Sequence, residues 1–141
     1  MRVRKLTPQD EALVAAARKI ITERYRENRH HIGAALRTRS GRVHTGVHLD
    51  TYVGRASVCA EAIAVGKALA EGDGDIECIV SVRHPRPRET NQEIQVVSPC
   101  GICRELLSDF ARDCAVIIPA NAGLARVPIA ELLPSKYVRK T

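Results

Sequence analysis

The apolar positions of this chain fall into short blocks whose spacing changes from helical to alternating and back. From Pro8 to about Tyr25, the residues Leu13, Ala17, Ile20, Ile21 and Tyr25 recur at helical spacing. Thr7 is placed to cap that helix, with Pro8 in its first turn. Ile32 to Thr38 and Val43 to Leu49 read as two strands, joined by the hairpin turn Arg39-Ser40-Gly41-Arg42. Val58 to Ala70 is apolar on nearly every side, which marks a buried helix, and Gly72 can end it as a left-handed cap. Ile76 to Val82 is a continuous apolar run, as expected of an inner strand. Arg83 to Gln95 is polar and proline-rich and reads as a loop or loose hairpin. Ser98 is predicted to cap a third helix with Pro99 at its first position. Cys114 to Ile118 reads as another inner strand stopped by Pro119, and Val127 to Leu133 as a short strand and a helical turn. The order helix, strand, strand, helix, strand, helix, strand gives a mixed sheet covered on both faces by helices.

Composition narrows the class. The 141 residues form one domain, 1–141, with no repeat or linker. A chain of that length buries roughly two thirds of its unfolded surface and needs no disulfides to fold. There is no Trp, one Phe and three Tyr, so the core must be Ala, Val, Ile and Leu. The five cysteines are an odd number and include a Cys-x-x-Cys, which argues for metal or catalysis in a reducing compartment. Met1 to Lys5 has no apolar run behind it of the signal-peptide kind, and no stretch approaches the roughly 20 apolar residues of a membrane span. A cytoplasmic protein is expected. The net charge of +6 could attract nucleic acid, but the basic residues are scattered and almost no aromatics are available to stack bases. The cluster Arg83-His84-Pro85-Arg86-Pro87-Arg88 reads as a solvated loop or a subunit contact rather than a polynucleotide track.

Two short segments carry the chemistry: Cys59-Ala60-Glu61, and Pro99-Cys100-Gly101-Ile102-Cys103. Cys100 and Cys103 are three apart at a helix start, on one face, and can grip one ion. Cys59 also stands near a predicted helix start. Two positive helix ends would then favour thiolate over thiol. A catalytic zinc takes three protein ligands and leaves one place for water. Glu61, if it is not a ligand, can relay protons beside that place, as attack on an amidine-like carbon with loss of ammonia requires. A Cys-x-Glu followed by Pro-Cys-x-x-Cys is the zinc-deaminase signature in its three-cysteine form. The rival is a structural zinc knuckle closed by a fourth ligand. Cys78 and Cys114 fall inside apolar strands, where free Cys acts as a small hydrophobe. None of His30, His31, His44, His48 and His84 has ligand spacing to a cysteine.

On these motifs the chain resembles the small cytidine deaminase family, which includes the blasticidin S deaminases. Val58-Cys59-Ala60-Glu61 and Ser98-Pro99-Cys100-Gly101-Ile102-Cys103-Arg104 match its zinc motifs. Ile32-Gly33-Ala34-Ala35-Leu36, Thr45-Gly46-Val47 and Glu131-Leu132-Leu133-Pro134 with Tyr137 resemble its first strand, the end of its second and its tail. The resemblance implies an α/β fold, a three-layer α/β/α sandwich with a mixed, about five-stranded sheet. It implies Zn²⁺ on Cys59, Cys100 and Cys103, Glu61 as the catalytic proton shuttle, and base recognition by backbone around Ala60 and Ser98, with Tyr137 near the base. It also implies a homotetramer acting on a small nucleoside, as in pyrimidine salvage.

The departures bear on substrate. The family holds the ribose 3′-hydroxyl with an Asn-x-Glu pair, where this chain has His48-Leu49-Asp50. Ala62 stands where many relatives carry Arg to offset thiolate charge, and Arg104 is a candidate replacement. His30 or His31 replaces the usual Phe before the first strand. The leading expectation is hydrolytic deamination of free cytidine or deoxycytidine, with His48 and Asp50 at the sugar. The alternative is a modified cytosine nucleoside or an aminoacylnucleoside antibiotic of the blasticidin S kind. A nucleic-acid-binding zinc protein or RNA editor is the reading from a different class.

Overall fold

The computed structural model describes residues 2–140. Its helices are α1 (Pro8–Arg24), α2 (Ala60–Ala70) and α3 (Gly101–Phe110). Its strands are β1 (Ile32–Thr38), β2 (Val43–Val47), β3 (Ile76–Arg83), β4 (Gln95–Val97), β5 (Ala115–Ala120) and β6 (Gly123–Pro128). The sheet runs in the order β2-β1-β3-β5-β6, with β4 paired to β3. Only β3 and β5 are parallel, so the sheet is mixed, as expected.

Alternation along the strands sorts the side chains between two cores. On one face, Leu13, Val14, Ala17 and Ile21 of α1 pack on Ala35, Cys78, Val80 and Val82. On the other, Ala60, Ala64, Val65 and Ala68 of α2 and Leu107 of α3 pack on Ala34, Leu36, Ile79 and Val116. Each fully buried Leu or Ile here contributes about 1.5–3 kcal/mol. The small residues matter as much as the large ones. A Cβ on Gly46 would stand 2.8 Å from the Ala60 carbonyl oxygen and 2.8 Å from the Ala64 nitrogen. Gly46 therefore sets how closely α2 lies on β2, and so where α2 begins.

Polar ties fix both helices. Thr7 and Asp10 form the reciprocal cap of α1: the Asp10 N–H donates to Thr7 Oγ1 at 3.1 Å, and the Thr7 N–H to Asp10 Oδ2 at 3.0 Å. Asp10 is fully buried and also accepts from Arg37 of β1 at 3.0 Å and Arg126 of β6 at 3.0 Å. At the far end of α2, the buried His44 ring lies 2.8 Å from Asp73 and 3.3 Å from Glu71. That ring first, then the Thr38 hydroxyl, holds the Asp73 carboxyl down to about 2.

The elements differ from the sequence expectation mainly at their ends. The second helix starts at Ala60 with Cys59 as its N-cap, two residues later than the apolar run suggests, because Leu49 and Val58 form a bridge that keeps Val58 extended. The cap of the third helix is Cys100, not Ser98. Pro119 does not stop its strand: β5 pairs with β3 only at Ala115 and Val116, and beyond that point it needs β6 alone. The proline-rich segment ends in β4, a sixth strand, and Gly72 takes the expected left-handed conformation with φ 74°.

Two outcomes test this account. Gly46→Ala should cost about 1–3 kcal/mol in denaturant unfolding, the range for overpacking. Asp10→Ala should cost about 3–5 kcal/mol, because it leaves Arg37 buried without its partner. Burial alone would raise the Asp10 carboxyl, but the Thr7 N–H and the two arginines hold it below its ordinary value. Its contribution is therefore complete above the unfolded carboxylate pKa and is lost as the pH falls through the folded one, a loss absent from the variant.

Candidate active site

Helices α2 and α3 bring their N-termini together on the same face of the sheet, and each begins with a cysteine. Cys59 caps α2 and Cys100 caps α3, while Cys103 lies one turn into α3. The three Sγ atoms all lie within 4.8 Å of one another, with Cys59 and Cys100 at 3.6 Å. Thiolates each about 2.3 Å from one tetrahedral zinc stand about 3.8 Å apart, so the donor set fits that ion. No imidazole or carboxylate joins this group among the described residues. The knuckle reading therefore lacks its fourth ligand: Cys78 and Cys114 are buried in strand layers away from the cluster. Burial pushes the Cys78 thiol up to about 12, as suits a core hydrophobe.

The electrostatics describe a site built for a cation. Burial, then the Glu61 charge and the neighbouring sulfurs, push the Cys103 thiol far above its ordinary value. Burial also raises Cys59. At Cys100 burial acts in the same direction, but the N–H groups of Cys103 and Ile102 and the adjacent thiols outweigh it and favour thiolate. Three sulfurs packed this closely are stabilised together as thiolates by a shared cation.

A cleft of about 190 Å³ opens beside the sulfurs, lined by Ile32, His48, Cys59, Ala60, Glu61, Val97, Ser98 and Cys100. Glu61 is 5% exposed, one residue into α2, and lies outside the ligand group. The Ala60 N–H is among the first in its helix and has no partner there. The His48 backbone N–H donates to the Ile32 carbonyl at 2.8 Å, while its ring Nδ1 is buried and unpartnered. Of the residues expected at the site, the chain thus brings together the three cysteines, Glu61, Ala60, Ser98 and His48.

Two others stand elsewhere. Asp50 follows His48, but its N–H is bonded to the Arg29 carbonyl at 2.8 Å and it does not line the cleft. Tyr137 is 81% exposed in a groove along the outer side of α3, beside Phe110 and Val138. Arg104 makes its hydrogen bonds to backbone carbonyls rather than to a cysteine sulfur. Its guanidinium donates to the carbonyls of Pro99 at 2.9 Å and Leu132 at 3.1 Å, tying the start of α3 to the tail. Ile32 and Val97 form the apolar walls, which the sequence alone did not single out. Strand alternation was the available signal, since Ile32 shares its face with Ala34 and Val97 is registered with Ser81.

Residues 7–118 match the family described as the cytidine and deoxycytidylate deaminase zinc-binding region. Among known proteins, the chain is 49% identical to a blasticidin-S deaminase of Bacillus cereus over 139 residues, 99% of each chain. It is 29% identical to a cytidine deaminase of Halalkalibacterium halodurans over 112 residues, covering 78% of this chain and 79% of that one. Among solved structures, the cytidine deaminase of Burkholderia pseudomallei superposes with a TM-score of 0.74 at 25% identity, over 94% of this chain and 100% of that one.

Metal analysis of purified variants checks the ligand assignment. Cys100→Ala should lose bound zinc, whereas Glu61→Gln should keep one ion per chain. Loss of metal from the Glu61 variant would make that residue a ligand.

Proposed function

The chain belongs to the cytidine and deoxycytidylate deaminase family, and on that footing we propose that it deaminates a cytosine ring carried by a modified nucleoside of the blasticidin S type. It is a zinc-binding deaminase, a hydrolase. The observation that carries the finer reading is at the sugar end of the cleft. His48 stands where the family resemblance places a ribose-binding amide, and its buried Nδ1 lacks a partner. The neighbouring carboxylate residue, Asp50, lies outside the cleft lining. A pocket altered in this way suits a sugar other than plain ribose, and the full-length likeness to a blasticidin-S deaminase supports the same substrate class. Free cytidine or deoxycytidine is the second reading. It is supported by the 29% identity to a cytidine deaminase over 112 residues.

The reaction consumes water and releases ammonia: a C–O bond forms at the ring carbon bearing the amine as its C–N bond breaks. Cys59, Cys100 and Cys103 would hold the zinc, which when bound supplies a Lewis acid that readies water near neutral pH. Glu61 takes a proton from the attacking water and gives it to the ring nitrogen; it then takes the remaining proton from the newly added hydroxyl and passes it to the amine, which leaves as ammonia while the carbonyl forms. Its buried place keeps the carboxylate among few competing waters. The free N–H at Ala60 and the backbone at Ser98 orient the base edge, and Ile32 and Val97 cover its faces. His48 Nδ1 pairs with a polar group of the sugar.

An assembly of like chains in a reducing cytoplasm completes this reading. All five cysteines are free, and Phe110, Tyr137 and Val138 leave exposed apolar surface beside α3. A tetramer is the expected mass in light scattering. No described helix is long and apolar enough to cross a membrane.

Ammonia release from a nucleoside panel decides between the readings. Blasticidin S should be turned over with higher kcat/KM than cytidine; the reverse order would favour the second reading. Glu61→Gln should lower kcat by about 10²–10⁴-fold with its zinc in place, the usual worth of a general acid–base. Replacing His48 with Asn should move the preference toward cytidine.

A further inference from the structure

The wall that carries His48 is not held by its own strand alone. The turn between α1 and β1, residues 25–31, is bonded to it twice. His30 Nδ1 lies 2.8 Å from the His48 carbonyl oxygen, and the Asp50 N–H donates to the Arg29 carbonyl at 2.8 Å. The same turn receives the proline-rich loop. Arg86 donates to Asn28 Oδ1 at 2.9 Å, and Arg88 pairs with Glu27 at 2.9 Å.

The turn itself depends on one imidazole. Asn28 sits in the left-handed region, φ 62°, and its N–H donates to His31 Nε2 at 2.8 Å. His31 is 8% exposed, and its ring meets Tyr25 edge to face with centroids 5.5 Å apart. Tyr25 in turn stacks on His84 at 3.8 Å. Because Nε2 accepts a hydrogen bond, the ring is neutral with its proton on Nδ1. A second proton would set a donor against the Asn28 N–H and add a cation among those already there.

We propose that His31 is a positioning residue for the nucleoside pocket: its neutral ring holds the turn that holds His48, and protonation slackens that wall and weakens substrate binding. The groups facing it are Arg83 from the end of β3, His84 and Arg86 from the loop after it, His48 and Asp50 from the segment after β2, and Tyr25 from its own turn. Burial first, then Arg86, hold its pKa below the ordinary 6.5, with Asp50 opposing. The neutral form therefore prevails at neutral pH, and the wall loosens as the pH falls through the lowered value. The effect belongs to KM, since neither Glu61 nor a cysteine touches this turn.

The inference rests on the cleft being the nucleoside site, so its test has an arm without substrate. In the zinc-loaded protein, the Asn28 amide resonance should follow the His31 ring titration, and the His48 ring signal should shift with it. In the kinetic arm, KM should rise as the pH is lowered from about 7 to about 5, the histidine range. His31→Gln keeps an acceptor that does not titrate, so the His31-dependent part of that rise should vanish. His31→Phe removes the acceptor, so its KM should stand about fivefold above the wild-type value at neutral pH, the worth of one hydrogen bond, and should converge with the wild-type value as the pH falls, with kcat and zinc content little changed. An Asn28 amide that ignores the His31 titration overturns the proposal, as does a KM–pH curve that His31→Gln leaves unaltered. If no nucleoside is turned over at all, the functional reading falls, and the amide and ring signals alone decide the role of His31.

Discussion

Three sulfurs and a carboxylate crowded at one point repel one another, and the rest of the structure is arranged around that fact. A divalent ion offsets the charge, and the chain supplies what the ion does not. Two helices start at the same place, so their unsatisfied N–H groups face the sulfurs. The opposed shifts of Cys100 and Cys103 express this balance: helix-start N–H groups favour thiolate at one, and burial beside Glu61 disfavours it at the other. The ion and the local fold around it are mutually dependent, as in other sites built from buried thiolates.

Such a centre demands accuracy from elements far from it. Cys59 and Cys100 are 41 residues apart in sequence, yet their sulfurs are 3.6 Å apart. That distance is set by where α2 and α3 rest on the sheet. Gly46 lets α2 approach β2 to backbone contact, the His44–Asp73 pair pins the other end of that helix, and Arg104 ties the start of α3 to the tail. The opposite face is locked by Asp10 between Arg37 and Arg126, which joins α1 to two strands that are not neighbours in the sheet. Removing one member of a pair this deeply buried leaves the other charge without its partner, which is costly.

Chemistry and specificity are divided between different parts of the frame. The three cysteines and Glu61 stand at or within one turn of helix starts. The end of the cleft proposed for the sugar is formed by an extended segment after β2, bonded on one side to Val58 and on the other to the turn after α1. A wall of that kind can change its side chains without disturbing the metal ligands. His48, where the family resemblance places an amide, is a residue of that wall, and its ring Nδ1 is buried without a partner.

Element types and most of the centre were legible in the sequence because they follow from local rules. Helical spacing from Pro8, the Thr7 cap, the apolar run at Ile76 and the left-handed Gly72 each depend on neighbours within a few residues. The Cys-x-Glu and Pro-Cys-x-x-Cys spacings imply one ion because few other arrangements make chemical use of them. What the sequence did not carry was any property set by distant residues. Ser98 looked like a cap, but Cys100 holds that position; Pro119 looked like a stop, but a one-sided pairing tolerates it. That Arg104 would bond the carbonyls of Pro99 and Leu132 was likewise not legible. The place of Asp50, the partnerless nitrogen of His48 and the turn beneath it depend on hydrogen bonds between segments far apart in the chain. Only the folded sheet brings those segments together, so only the tertiary structure decided them.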